Sequence, residues 1–191
     1  MSTLKGSRTE KNLLTAFAGE SQARNRYSFA ADKAKKEGFE KVAAIFEVTA
    51  EQERAHAKKL FGFLQGGEVE ISAAFPAGVV GTTVENLKAA AGGEHHEYSS
   101  MYPDFARIAR EEGFENVAKL FDAIAVSERY HERRFLALAE TIESGRMFKR
   151  EAQTEWYCRK CGYVHAGEEP PDFCPACSHA KSYFEALGDQ F

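Results

Sequence analysis

Two stretches decide how this chain folds: Glu53-Arg54-Ala55-His56 and Glu128-Arg129-Tyr130-His131, one Glu-x-x-His pattern repeated 75 residues on. On an α-helix, positions i and i+3 share a face, so each stretch presents a carboxylate beside an imidazole. The same offset of 75 carries Glu37-Gly38-Phe39-Glu40 onto Glu112-Gly113-Phe114-Glu115, Val42-Ala43 onto Val117-Ala118 and Phe46 onto Phe121. Further upstream the offset is 74: Asn12-Leu13 matches Asn86-Leu87, and Glu20 matches Glu94. The body is therefore two related halves, with one extra residue between Glu94 and Glu112.

Each half reads as a helical hairpin. Gly38 and Gly113 stand where a helix ends in the left-handed conformation. Ser7…Glu10 and Thr82…Glu85 have the spacing of a capping box. Residues 66–81, broken by Gly66, Gly67, Pro76, Gly78 and Gly81, are long enough to cross a bundle. The expected fold is a mainly α, ferritin-like four-helix bundle, with helices over 9–36, 39–65, 83–112 and 115–144.

The apolar seams of these helices are interrupted at mid-length. The first runs Leu13, Phe17, Glu20, Tyr27, Ala31, Ala34, and the second Val42, Phe46, Thr49, Glu53, His56, Leu60, Phe63. The third runs Leu87, Ala90, Glu94, Glu97, Met101, Phe105, Ile108, and the fourth Val117, Phe121, Ile124, Glu128, His131, Phe135, Leu138, Ile142. An unpaired buried carboxylate costs several kcal/mol. Four helices that each place one in a common layer require cations between them. Two Glu-x-x-His helices plus a Glu from each of the other two is the di-metal carboxylate pattern of ferritin-like bundles. Oxygen ligands with one imidazole per ion suit iron or manganese better than zinc or copper. Glu97 breaks the symmetry, since its counterpart is Ala23. The extra residue falls near Glu97 to Pro103, where a π-bulge or kink is expected.

The cysteines Cys158, Cys161, Cys174 and Cys177 form two CxxC knuckles with twelve residues between them. Four thiolates in tetrahedral array select zinc or iron, and the spacing leaves both open. Trp156, Tyr157, Tyr163, Phe173 and Phe184 are expected to form a small aromatic core, which favours a redox iron centre; His165 and His179 are expected at the surface. A shift in composition around 147–152 marks a linker between a bundle over 1–146 and a metal-stapled module over 153–191. About forty residues are too few to fold on apolar burial alone.

A net charge of −4 leaves no basic excess for nucleic acid. No apolar run reaches the ~18 residues of a membrane helix. The polar stretch Met1 to Asn12 lacks the apolar core of a secretory signal, so a cytoplasmic location is expected. No Gly-x-Gly-x-x-Gly or Walker pattern is present, which leaves nicotinamide binding to another protein.

Taken together, Glu20, Glu53…His56, Glu94-x-x-Glu97 and Glu128…His131, followed by Cys-x-x-Cys-Gly-Tyr and Cys-Pro-x-Cys, closely resemble the rubrerythrin family over nearly the whole chain. The tail looks like a shortened rubredoxin module, with Ser178 where rubredoxins commonly carry Gly. The resemblance implies a non-haem diiron peroxidase that reduces hydrogen peroxide to water in oxidative-stress defence. It implies three iron ions per chain: an oxo- or hydroxo-bridged pair held by Glu20, Glu53, His56, Glu94, Glu97, Glu128 and His131, and one Fe(SCys)4 centre on Cys158, Cys161, Cys174 and Cys177 that relays electrons. It further implies that Glu97 and His56 alternate as ligands of one iron, and that Tyr27 and Tyr102 hydrogen-bond to the site. Electrons are expected from an external donor, an NAD(P)H-dependent reductase or a rubredoxin. His131 to Gly145 is 14 residues, about 21 Å of helix, so a tail at that end is far from its own Glu/His layer and a head-to-tail homodimer is expected. Two rivals stand beside this: a ferroxidase or iron-handling protein that uses dioxygen, and a non-enzymatic scaffold with a zinc ribbon.

Overall fold

A computed structural model describes residues 3–188; residues 1–2 and 189–191, the ends of the two expected segments, lie outside the described residues. Helices α1 (Arg8–Lys36) and α2 (Glu40–Phe61) form one antiparallel hairpin. A long crossover leads to α3 (Thr83–His96), a π-helical turn (Glu97–Met101) and α4 (Tyr102–Glu111). Together these pair with α5 (Glu115–Glu143), which completes a four-helix, ferritin-like bundle.

The turns follow the sequence signals. Gly38 and Gly113 take φ +82° and +84° directly after their helices, a region in which a side chain would be strained. Thr82 and Glu85 make the full reciprocal box at the start of α3. At α1 only half of the box forms: Ser7 Oγ accepts from Glu10 N at 3.0 Å, while the Glu10 carboxylate accepts from Gly6 N at 2.7 Å. The repeat also cross-braces itself. Glu37 Oε2 accepts from Thr83 N at 2.8 Å, and Glu112 Oε2 accepts from Thr9 N at 2.9 Å, so each hairpin turn caps the first helix of the other half.

The expected helices differ from the observed ones at the end of α2 and along the buried face of α4. Helix α2 ends at Phe61, not residue 65, because the chain tightens at Gly62 and Phe63 N and Leu64 N bond only three residues back. The third helix carries the expected interruption: the amide of Tyr102 bonds the carbonyl of Glu97, five residues back, so the extra residue is absorbed as a π turn. That turn rotates the rest of the helix by one position. Its buried face is Tyr102, Ala106 and Ala109, and the expected Met101, Phe105 and Ile108 are only partly buried.

Two apolar clusters fill the bundle, one around Tyr27, Phe46, Leu87 and Phe135, the other around Leu13, Leu60, Tyr102 and Phe121. The Glu/His layer lies between them.

The tail is a three-stranded antiparallel sheet in the order β2–β1–β3, from β1 (Thr154–Cys158), β2 (Val164–Gly167) and β3 (Phe184–Ala186). Trp156, Phe184, Cys158 and Cys174 are its core, with Tyr163 and Tyr183 packed against them. Phe173, expected inside, is 68% exposed, and Tyr157 is half-buried on the far side of its strand. His165 and His179, expected at the surface, are partly exposed and stand outside the four-cysteine group; His179 Nδ1 lies 3.0 Å from the Cys177 carbonyl, and its ring packs edge-on against Tyr183. The tail abuts the α1–α2 turn: a Cβ at Gly38 would meet Ser182 Cβ at 3.7 Å, and Phe39 stacks on Phe148. No described helix is long and apolar enough to cross a membrane.

Candidate metal centres

At mid-bundle, α1 supplies Glu20, α2 supplies Glu53 and His56, α3 supplies Glu94, and α5 supplies Glu128 and His131. Glu20, Glu53, Glu94, Glu128 and His131 are buried, and His56 keeps 18% of its side chain exposed. Their donor atoms fall into two overlapping groups, Glu20/Glu53/His56/Glu128 and Glu53/Glu94/Glu128/His131, each with one atom per residue within 4.8 Å of the others. Glu53 and Glu128 belong to both groups and divide their oxygens between them. His56 Nδ1 lies 3.0 Å from Glu53 Oε2 and 3.0 Å from Glu128 Oε1. His131 Nδ1 lies 3.1 Å from Glu53 Oε1 and 2.7 Å from Glu128 Oε2. Two carboxylates that each turn one oxygen to either side can bridge two cations.

The donor set fits a metal pair on its own geometry. Glu20 Oε2, Glu53 Oε1, Glu94 Oε2, both oxygens of Glu128 and His131 Nδ1 are sealed from solvent without a hydrogen-bond partner. Buried acceptors are nearly always satisfied, and here lone pairs converge on shared points with only the two histidine rings beside them. Oxygen-rich shells with one imidazole each suit iron or manganese.

Electrostatics without a metal tell the same story. Burial, then neighbouring carboxylates, pushes Glu20 and Glu97 well above the usual carboxyl range, and burial takes Glu94 to about 7. Glu53 is also driven up by burial, but His131 and His56 outweigh this and bring it to about 2. Burial opposes charge on His131, yet Glu128, Glu53 and Glu94 raise it to about 12, and His56 is raised in the same way. The layer binds positive charge strongly; with no metal it must take that charge as protons.

Glu97 stands apart. It sits in the π turn, partly buried, and belongs to neither group of donors. Its Oε1 lies 4.0 Å from where a Cβ would stand on Gly19, and Phe75 of the crossover lies 3.9 Å from that same point. A Cβ at position 19 would be in ordinary van der Waals contact with both.

The two tyrosines exchange partners across the bundle. Tyr27 on α1 donates to Glu94 Oε1 on α3, and Tyr102 on α4 donates to Glu20 Oε1 on α1. They are repeat mates at the offset of 75, a relation legible in the sequence that fixes the extra residue between Glu94 and Tyr102. Burial holds both phenols protonated, so each donates.

Sequence inspection missed Arg134. It is 7% exposed, one turn beyond His131, and among the described residues it makes no ion pair. It donates through Nη2 to Thr49 Oγ1 at 2.5 Å and lies over the Tyr130 ring. A charged residue three positions after a seam histidine was the available signal.

In the tail, the four cysteine sulfurs form a third group, with Cys158 and Cys174 buried and Cys161 exposed. Cys158 Sγ lies 3.8 Å from Cys177 Sγ, and Cys161 Sγ lies 3.6 Å from Cys174 Sγ, contacts that fit the edges of a tetrahedral thiolate shell and exclude disulfides. Each knuckle is closed by a backbone bond, Gly162 N to Cys158 O and Ser178 N to Cys174 O. Ser178 takes φ +60°, alone among described non-glycine residues, which is the conformation that glycine adopts without strain.

Comparison with known proteins agrees with both centres. Residues 11–139 match the Rubrerythrin family, and residues 156–185 match the rubrerythrin rubredoxin-like domain. The chain is 62% identical over 188 residues to a rubrerythrin of Nitratidesulfovibrio vulgaris, covering 98% of each chain. It is 55% identical over 185 residues to a rubrerythrin of Porphyromonas gingivalis, covering 97% of this chain and 92% of that one. Among solved structures it is similar to fully reduced, all-ferrous nigerythrin, with a TM-score of 0.64 at 31% identity over 97% of this chain and 92% of that one. A bundle whose carboxylate layer is built for two ions, joined to a four-cysteine rubredoxin-like module, thus belongs to the rubrerythrin family of iron-dependent oxidoreductases.

Proposed function

We propose that this protein reduces hydrogen peroxide to water at a pair of iron ions, with electrons delivered through a thiolate-bound iron in the tail. One observation carries the reading: a buried layer built to bridge two cations shares a chain with a four-thiolate site. Storage or simple oxidation of ferrous iron has no use for a centre that returns electrons.

In this reading Glu20, Glu53, His56, Glu94, Glu128 and His131 hold the pair, and Cys158, Cys161, Cys174 and Cys177 hold a third iron. When bound, the pair supplies two electrons to the O–O bond, one from each ion. The protein's part is to hold and dose charge. Tyr27 and Tyr102 keep their protons and pin one oxygen each of Glu94 and Glu20, which fixes how those carboxylates face the layer. Glu97 stands outside the donor groups while His56 stands inside, an arrangement that supports their alternation as ligands of one iron. The carboxyl group of Glu97, beside Gly19 and outside the donor groups, would be free to carry a proton to the oxygen that leaves. The apolar clusters on either side exclude bulk water from the layer.

Electron return favours two copies. The tail abuts the start of α2 near Gly38, and Glu53 lies 13 residues beyond Glu40, about 20 Å along the helix. A head-to-tail homodimer, in which a partner's tail approaches the layer, removes that gap. An external reductase or rubredoxin supplies the tail.

The test is iron quantitation with single-turnover kinetics. The expected result is three irons per chain, a visible ferric-thiolate band, and reduced protein that reacts with peroxide at least tenfold faster than with dioxygen. Faster reaction with dioxygen would make it a ferroxidase, and zinc with no colour would make it a scaffold.

A further inference from the structure

Arg134 is a buried cation outside the proposed set of metal ligands. It projects from α5 one turn beyond His131. Its Nη2 donates to Thr49 Oγ1 at 2.5 Å and reaches Gln52 Oε1 at 3.4 Å, both on α2. Thr49 donates its own proton to the Ile45 carbonyl at 2.8 Å, which leaves its oxygen to accept. The Tyr130 ring covers the guanidinium, whose carbon lies 5.3 Å from the ring centre. The Nε of Arg134 is sealed from solvent without a hydrogen-bond partner.

A buried charge held only by neutral groups is costly unless opposite charge lies near. Exposed arginines on this bundle pair directly, Arg8 with Glu112 and Arg107 with Asp104. Arg134 makes no such pair among the described residues, and the opposite charge nearest to it along the bundle is the carboxylate layer. Thr49 stands one turn before Glu53 on α2, and Arg134 one turn after His131 on α5, so the guanidinium lies about 5 Å along the bundle from that layer. Burial pushes the pKa of Arg134 down, while Tyr130, Glu53 and Glu94 push it up. A guanidinium stays charged in either case.

The charge of the loaded layer gives this placement a purpose. Glu20, Glu53, Glu94, Glu97 and Glu128, when ionised, exceed the charge of two divalent cations by one. Arg134 offsets that excess from one turn away and leaves every ligand oxygen to the cations. We propose that Arg134 is a positioning residue whose fixed charge balances the loaded layer and favours anions bound there. The inference rests on the reading of the layer as a metal pair. Two electrons turn hydrogen peroxide into two hydroxide ions before two protons make water, so a cation close by favours that step without touching it.

The test titrates the iron-loaded, fully reduced protein with azide in the absence of oxygen, followed by calorimetry. The tail iron, already held by four thiolates, offers azide no place. One azide per chain is expected. At an effective dielectric of about 20 and a separation of about 10 Å, one unit charge alters the affinity of a monovalent anion by roughly tenfold. Arg134→Met is therefore expected to weaken azide binding by about that factor, and Arg134→Gln, which keeps a donor for Thr49, to do the same. Arg134→Lys keeps the charge, and Thr49→Val keeps the arginine but removes its acceptor; both are expected to stay within about threefold of the wild type. A purely structural clamp between α2 and α5 would instead make Arg134→Lys and Thr49→Val as impaired as Arg134→Met. Circular dichroism and iron content check that each variant is folded and loaded, and Arg134→Gln decides the matter should Arg134→Met not fold. Unchanged azide affinity in the neutral variants, equal weakening in Arg134→Lys and Thr49→Val, or no saturable azide binding by a wild type that holds both ions would overturn this inference alone. A wild type that holds no pair of ions in the layer would overturn the metal reading and the inference with it.

Discussion

Stripping the metal pair should make the bundle sensitive to alkali. Without ions, the layer depends on protons, and the raised groups all act in the same direction. Glu94 has a folded pKa near 7 against a usual carboxyl value of 4.5, and Glu20 and Glu97 are raised as well. A group with a raised folded pKa contributes stability below its unfolded pKa and loses it as pH climbs through the folded value. Glu94 alone therefore removes about 3 kcal/mol between pH 4.5 and 7, at 1.36 kcal/mol per unit. His131, raised to about 12, continues the loss from pH 6.5 upward. For a chain of this size about 3 kcal/mol is worth roughly 6–12 °C in Tm. Calorimetry of apo and iron-loaded protein at pH 5, 7 and 9 checks this. The apo Tm should fall at each step, while that of the loaded protein, in which cations replace protons, should change little between pH 7 and 9. An apo Tm that stayed level or rose from pH 5 to 7 would show that the carboxylates are solvated and the charge argument is wrong.

Other consequences are local. Glu53→Ala removes an oxygen from both donor groups and should leave one iron per chain in place of three, with the ferric-thiolate colour intact. Tyr102→Phe should keep the iron but slow peroxide turnover by about tenfold, since a hydrogen bond to a charged group is worth about 1.5–3 kcal/mol; Tyr27→Phe should behave alike. Ser178→Gly should stabilise the tail by up to about 1 kcal/mol, read as a higher denaturant midpoint for loss of thiolate colour, because the left-handed strain disappears. Glu37, held near pKa 2 by Thr83 and Lys33, stabilises the fold above pH 4.5 and loses this as pH falls toward 2. Glu37→Gln should thus cost about 1 kcal/mol at pH 7 and nothing at pH 2, as read by urea unfolding at both values.

The periodic sequence determined much of this protein. Charged residues at seam positions, repeated at offsets of 74 and 75, specify a four-helix layer of carboxylates and histidines, because helical periodicity turns spacing into a shared face. Two CxxC knuckles likewise declare their purpose, since four nearby thiolates need only a short loop each. The extra residue near Glu97 was visible as a mismatch in the repeat, and the structure confines it to the π turn at Glu97–Met101. What followed from it required tertiary structure. A one-residue rotation changes which side chains face inward, so Tyr102, Ala106 and Ala109 replace the expected seam. The crossed Tyr27–Glu94 and Tyr102–Glu20 pairs and the Arg134–Thr49 contact join elements far apart in the chain. Local periodicity says which face of a helix is buried; only the apposition of helices decides which atom on another strand of the chain it meets.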